Sequence, residues 1–251
     1  MKTSYGIESL HAGSPTVVTV GSFDGVHRGH RVLLDALTSK ARELDAESVV
    51  VTFGNHPRGE GGIGLLSTVD EKLRLLEAVG VGHVVVLPFD EELRNMSAHD
   101  FIEKVLYCAL GAVHVIVGYD HRFGKGQEGD RGMLEKYGER LGFGVTEIGV
   151  QTADGLSVSS TEVRGALGRG DMARVAKLLG HPYLVCGRHV SGSVVTDESH
   201  KILPPTGRYT VKIKSCDKTV SGVATIEDSV VCIDSEESLA ECELVDVLFG
   251  C

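Results

Sequence analysis

The stretch TVVTVGSFDGVHRGH, residues 16–30, decides how this chain is read. Its opening run of Thr and Val favours a strand. From Arg28 onward, Leu33, Leu37, Ala41 and Leu44 recur at helical spacing. A strand over 16–23 and a helix over 28–44 are therefore expected, with a turn bearing glycines and histidines between them. In open parallel sheets, ligands bind beyond the carboxyl ends of strands. A helix N-terminus at such a place offers N–H groups and a positive dipole end to phosphate. His27 and His30, three apart at the helix start, can face one ligand. Imidazoles there can donate to phosphate oxygens as charge moves toward a leaving group. Gly29 lets a phosphate or nucleotide come close to the backbone. Alone, an H-x-G-H is equally compatible with histidines that cap the helix.

Outward from this stretch, strand and helix signals alternate. Strands are expected over 48–53, 83–89, 113–119 and 144–150, mostly apolar and rich in Val. A helix is expected over 69–79, with Val69, Leu73, Leu76 and Val79 on one face. Ser97 with Asp100 three residues on reads as a capping box, followed by Phe101, Val105 and Ala109 on one helical face. Strands that are apolar throughout and separated by helices indicate a parallel sheet covered on both sides. After His181-Pro182 the pattern changes to short alternating stretches over 208–213, 220–226, 229–233 and 242–249. These read as a small antiparallel unit, a partial barrel. The glycine-rich residues 59–64 read as a loop.

The bulk composition excludes several classes. Apolar residues are 42% and charged residues 24%, ordinary for a globular protein. No run approaches the roughly 20 apolar residues of a membrane helix, and the N-terminus lacks the order of a signal peptide, so a cytoplasmic protein with no membrane partner is expected. A formal charge of −10 argues against a nucleic-acid partner. A local cluster of donors can still bind a triphosphate. The six cysteines show no C-x-x-C spacing and are expected as reduced, mostly buried thiols.

Two further segments carry chemistry. Ser159, Ser160 and Thr161 stand at an expected helix start, where hydroxyls cap the helix or contact phosphate. Arg164, three residues after Thr161, can reach the same anion. Residues 118–126 (GYDHRFGKG) follow the strand at 113–119. Their glycines permit a tight loop over a ligand, and Arg122 and Lys125 add positive charge. Either segment alone is also an ordinary cap or surface loop.

Taken together, the ordered motifs resemble the bacterial bifunctional riboflavin kinase/FMN adenylyltransferase (FAD synthetase) family. The resemblance runs from about Val17 to Gly192. It rests on G-x-FDGVH-x-GH, on Thr52-Phe53 with His56-Pro57-Arg58, and on LLSTVDEKLRLL at 65–76. It also rests on Leu87-Pro88-Phe89-Asp90, the G-Y-D-x-RFG loop, the SST-x-x-R element and Gly180-His181-Pro182-Tyr183. The fold it implies is α/β: a Rossmann-like parallel-sheet nucleotidyltransferase domain over 1–183, then a small antiparallel β-barrel-like domain over 184–251.

The resemblance also implies roles. His27 and His30 would bind ATP phosphates, and Ser159, Ser160, Thr161 and Arg164 the same triphosphate. Phe23, Asp24, Gly25 and Gly29 would shape the nucleotide pocket. Asp120 would lie near the reacting groups, with Arg122 in the same loop. His56, Pro57 and Arg58 would meet the flavin. The reaction would join the AMP of ATP to FMN, giving FAD and pyrophosphate, with Mg²⁺ carried mainly on substrate oxygens.

The chain departs from the family's pattern in places. Gly187-Arg188-His189-Val190 is present, but residues 191–202 lack the P-T-A-N of the kinase half, and the chain ends at Cys251 where the family continues. Glu241 or Glu243 could stand at the place of the kinase base. A shortened module without riboflavin kinase activity is expected. Gly54-Asn55 and the short loop after Arg58 also differ from the family. Another phosphate acceptor, or a non-catalytic flavin- or nucleotide-binding role, stays open on these grounds.

Overall fold

The β-branched runs of the first part of the chain become one parallel sheet. Strands β2 (Thr16–Val20), β3 (Glu47–Phe53), β4 (His83–Leu87), β5 (Ala112–Gly118) and β6 (Gly144–Ile148) are joined by β1 (Lys2–Tyr5), in the order β1-β4-β3-β2-β5-β6. The computed structural model describes residues 1–7, 13–54, 64–153, 156–196, 200–216, 218–227, 229–235, 239–240 and 244–250. The chain divides into two compact units. The first comprises Met1–Phe23, Gly29–Gly62 and Leu75–Gln151, the second Asp24–Arg28, Ile63–Arg74 and Thr152–Cys251.

In the first unit the sheet is doubly wound. From β2 the chain builds β3 and β4 on one side, then crosses to β5 and β6 on the other. The order therefore reverses at β2 and β5, where sheets of this kind open their ligand crevices. Val17, Val18, Val49, Val50 and Val51 have no exposure, as strands covered on both faces require. The helix after β2, α1 (Arg28–Glu43), buries Leu33, Leu34, Leu37, Thr38 and Ala41. Leu44 lies beyond its end and is exposed.

Ser97 caps as expected, its hydroxyl accepting from the Asp100 amide at 3.0 Å. A short α-turn (Ala98–Asp100) then passes into a π-helix over Phe101–Ala109. Its buried residues are Phe101, Ile102, Val105 and Leu106, and Ala109 is only partly covered.

The second unit holds α6 (Ser160–Gly168), α7 (Met172–Leu179) and a hairpin of β7 (Thr152–Ala153) and β8 (Leu156–Ser157). Its other strands are β9 (Tyr183–Val190), β10 (Ser193–Val195), β11 (Gly207–Lys214), β12 (Thr219–Glu227), β13 (Val230–Ser235) and β14 (Leu244–Phe249). The partial barrel expected from four alternating stretches is in fact closed, in the order β10-β13-β12-β11-β14-β9. Closure comes from β9, which pairs with β14 on one edge and β10 on the other. Inward residues such as Val185, Val211, Ile213, Ala224, Val247 and Phe249 share one core with Val163, Leu167, Leu178 and Leu179 of the helix pair.

Cys108, Cys186, Cys216 and Cys232 form no disulfide, but the expectation that most of the cysteines are buried is wrong. Cys186 is buried, while Cys108, Cys216 and Cys232 are exposed. Cys242 and Cys251 lie outside the described residues.

Candidate functional site

Between β2 and α1 the backbone takes an improbable path. Phe23 (φ 48°), Gly25 (φ 76°) and Val26 (φ 40°) all adopt positive φ, and all three are buried. Only glycine does this without cost, so Phe23 and Val26 store strain of about 1–3 kcal/mol each. Such a turn persists only where its surroundings over-determine it.

In the second unit they do. The buried Asp24 carboxylate accepts from the amides of Leu66 (3.1 Å) and Ser67 (2.9 Å) and from the Ser67 hydroxyl (3.2 Å). Arg164 Nη2 closes a salt bridge onto Asp24 Oδ2, and its Nε donates to the Gly64 carbonyl at 3.0 Å. The Gly25 amide donates to Ser67 Oγ at 2.9 Å. Ser160 Oγ donates to the Asp24 carbonyl at 3.1 Å, and His181 Nε2 lies 3.1 Å from the Gly25 carbonyl.

The turn presents His27, itself buried. Burial pushes its imidazole down to about 4, against weaker upward pulls that include the Asp24 carboxylate, and Arg164 and His181 add to the downward shift. At neutral pH this ring is uncharged, able to donate one N–H and to take up a proton when an anion arrives.

The residues of the S-S-T element divide their work. Ser159 caps α6, accepting from the Glu162 amide at 3.3 Å. Ser160 holds the turn as described, and Thr161 is exposed at the first turn of α6. The second unit therefore brings Asp24, Gly25, His27, Ser160 and Arg164 together.

In the first unit, Gly29 and His30 lie in the first turn of α1, both partly exposed. The His30 ring stands 5.1 Å from the buried Phe23 ring, tilted at 60°. Thr52, at the end of β3, donates to the Ser22 carbonyl at 3.1 Å. Beyond β5, Asp120 and Arg122 are both exposed. Arg122 is spoken for: it pairs with Asp130 at 3.0 Å, and Asp130 also caps α5 (Arg131–Leu141). His56, Pro57 and Arg58 lie outside the described residues, as do Glu241 and Glu243.

Ser67, Glu71, His181 and Lys201 were not singled out by residue-type reasoning. One signal was present. Thr68 and Glu71 form a T-x-x-E capping box at the head of α2 (Val69–Val79): Thr68 Oγ1 accepts from the Glu71 amide, and Glu71 Oε2 accepts from the Thr68 amide. It marks the helix start, but not that Glu71 would be buried and hold Lys201.

A doubly wound parallel sheet with this turn leaving its central strand, followed by a closed antiparallel barrel, defines a Rossmann-like α/β protein with a barrel module. A family profile described as FAD synthetase matches residues 10–162. The bifunctional riboflavin kinase/FMN adenylyltransferase of Escherichia coli (strain K12) is 34% identical over 243 residues, covering 90% of this chain and 78% of that protein. A putative bifunctional riboflavin kinase/FMN adenylyltransferase of Geobacillus thermodenitrificans is 38% identical over 169 residues, covering 66% of this chain and 90% of that one. The chain belongs to the FAD synthetase family. Its fold matches a crystal structure described as a macrolide-efflux protein from Streptococcus pneumoniae with a TM-score of 0.88, over 100% of this chain and 90% of that one, at 22% identity. At that identity the likeness concerns the fold alone.

Proposed function

We propose that this protein transfers the AMP moiety of ATP to FMN, forming FAD and releasing pyrophosphate. The observation that carries this reading is the over-determined Asp24–His27 turn, in a chain of the FAD synthetase family. An FMN phosphate oxygen attacks the α-phosphorus of ATP, and the bond from that phosphorus to the oxygen bridging the α and β phosphates breaks. Pyrophosphate carries away the electron pair. The nucleophile is already an anion, so no general base is needed. The protein contributes position and hydrogen-bond donors aimed at developing charge.

In this reading His27 and His30 donate to the phosphates. The uncharged His27 gains basicity from the approaching triphosphate, so that it stabilises the leaving group best when it is needed. Arg164 keeps guanidinium donors beyond those used on Asp24 and Gly64, and with Thr161 it is assigned to the triphosphate. Phe23 and Gly29 line the nucleotide side, and Asp120 is assigned to the reacting groups. His56, Pro57 and Arg58 are assigned to the flavin, with Arg122 near it. Asp24, engaged by Arg164 and Ser67, is left no role as a metal ligand. Among the described residues no group of three or more His, Cys, Asp or Glu could hold a metal ion. We place Mg²⁺ on the ATP phosphates, as part of the substrate.

Residues 1–183 are assigned this chemistry and 184–251 the kinase-like β module, here without riboflavin kinase activity. Support for the last point is that residues 191–202 lack the P-T-A-N of the family's kinase half. No helix among the described residues is long and apolar enough to cross a membrane. A cytoplasmic enzyme acting on small molecules, without nucleic-acid partners, fits this and the acidic charge.

The test is product chromatography with purified protein and Mg-ATP, offering FMN in one reaction and riboflavin in another. FAD from FMN and no FMN from riboflavin are expected. No FAD would overturn the adenylyl-transfer reading, and FMN formed from riboflavin would overturn the assignment of an inactive kinase module.

A further inference from the structure

The second unit contains a fully buried ion pair that adenylyl transfer as described does not use. Lys201 Nζ donates to Glu71 Oε2 at 2.7 Å, to the Leu66 carbonyl at 2.7 Å and to the Leu184 carbonyl at 2.8 Å. The two side chains are 1% and 0% exposed. All three N–H groups of the ammonium are thus occupied. Glu71 is equally saturated: Oε2 also accepts the Thr68 amide and Oε1 the Cys186 amide, both at 2.8 Å. Burial lowers the Lys201 pKa, and Glu71 opposes that shift. An apolar pair of the same volume would avoid this desolvation, so what the pair positions is the relevant question.

The answer lies in Leu66. Its carbonyl is held by Lys201 and its amide holds Asp24 Oδ2. The next residue, Ser67, binds Asp24 Oδ1 and the Gly25 amide. The route from Lys201 to the strained turn therefore runs through Leu66 and its neighbour Ser67. On the other side, the Leu184 carbonyl and Cys186 amide anchor the same pair to the barrel strand β9. The segment 64–67 is thus held between β9 and the turn that presents His27.

We infer that Lys201, paired with Glu71, is a positioning residue for the His27 turn, acting through Leu66 and Ser67 on Asp24. This deepens the proposed function and rests on it, because positioning has a catalytic meaning only if His27 meets ATP. The barrel module is then a working part of the adenylyl-transfer site.

The experiment uses the full chain and two variants. Lys201→Met with Glu71→Leu removes both charges at similar volume, and is expected to melt within a few degrees of the parent. In it, kcat for FAD formation is expected to fall at least tenfold, with KM for FMN within twofold. The His27 ring, followed by NMR, is expected to titrate nearer 6.5 than the parent's value of about 4. If the double variant does not fold, Lys201→Arg carries the same readouts, since a guanidinium keeps the charge but cannot place one nitrogen on all three acceptors. If either readout matches the parent in a folded variant, the inference is overturned. If the parent itself forms no FAD, the functional reading fails. The His27 titration then decides the positioning claim alone: a shift upholds it and no shift overturns it.

Discussion

At the scale of the residue, His27 gives the clearest pH signature. Its imidazole sits at about 4 in the folded chain against 6.5 ordinarily, chiefly through burial. The unfolded chain therefore binds a proton first as pH falls. The stability that neutral His27 contributes is complete above about pH 6.5 and is lost as pH drops toward 4. The loss amounts to about 2 kcal/mol by pH 5, at about 1.4 kcal/mol per pKa unit. Urea unfolding at pH 7 and pH 5 should show a steeper loss for the parent than for His27→Gln, by roughly that amount. Equal slopes would contradict the buried, neutral ring. Asp24→Asn should cost roughly 2–4 kcal/mol in the same assay, because it strands the partly buried Arg164. The H-x-G-H and S-S-T-x-x-R spacings made the helix starts at Arg28 and Ser160 legible. The Asp24–Arg164 bridge was not, since it joins positions 140 apart in sequence.

At the scale of the element, two glycines separate conformational from steric cost. Gly25 has a φ of +76°, and an added Cβ would stand 3.2 Å from Leu66 and 3.3 Å from Leu179 side chains, which can give slightly. Gly124 has a φ of +73°, and its Cβ would lie 2.6 Å from the Ala98 backbone nitrogen, which cannot. Thermal unfolding should therefore rank Gly124→Ala well below Gly25→Ala, the latter costing about 1–2 kcal/mol. The reverse order would contradict this account of the loop after β5.

The buried strands and α1 are readable from sequence because burial on both faces imposes unbroken apolar runs. Strand β1 is not: its four residues are mixed in polarity and mostly exposed, and only pairing with β4 makes them a strand. The π-helical turn after Ser97 is equally silent, because local pattern does not distinguish it from an α-helix.

At the scale of the molecule, the division by motif, 1–183 and 184–251, differs from the grouping by compactness. Helices α6 and α7 bury Val163, Ala166, Leu167, Leu178 and Leu179 in the same core as the barrel strands. A fragment ending at residue 183 would expose that face, at about 1.5–3 kcal/mol for each large side chain uncovered. It should bind a hydrophobic dye and lose helix signal by circular dichroism. A fragment with the parent's helix content and no dye binding would contradict the shared core. Sequence reading drew the boundary at a change of pattern, from helix-separated runs to short alternation. It could not show that helices before the boundary pack with strands after it, because periodicity carries no information about which apolar face meets which.

The central claim is that the bond broken is the one between the α and β phosphates of ATP, with FMN as the acceptor. Its most direct test is transfer of label from ATP carrying radioactive phosphorus at the α or the γ position, in the presence of FMN. The account predicts α-label in FAD and γ-label only in pyrophosphate, in equal amounts. Label from the γ position in a flavin product, or α-label remaining wholly in ADP or AMP, would contradict it.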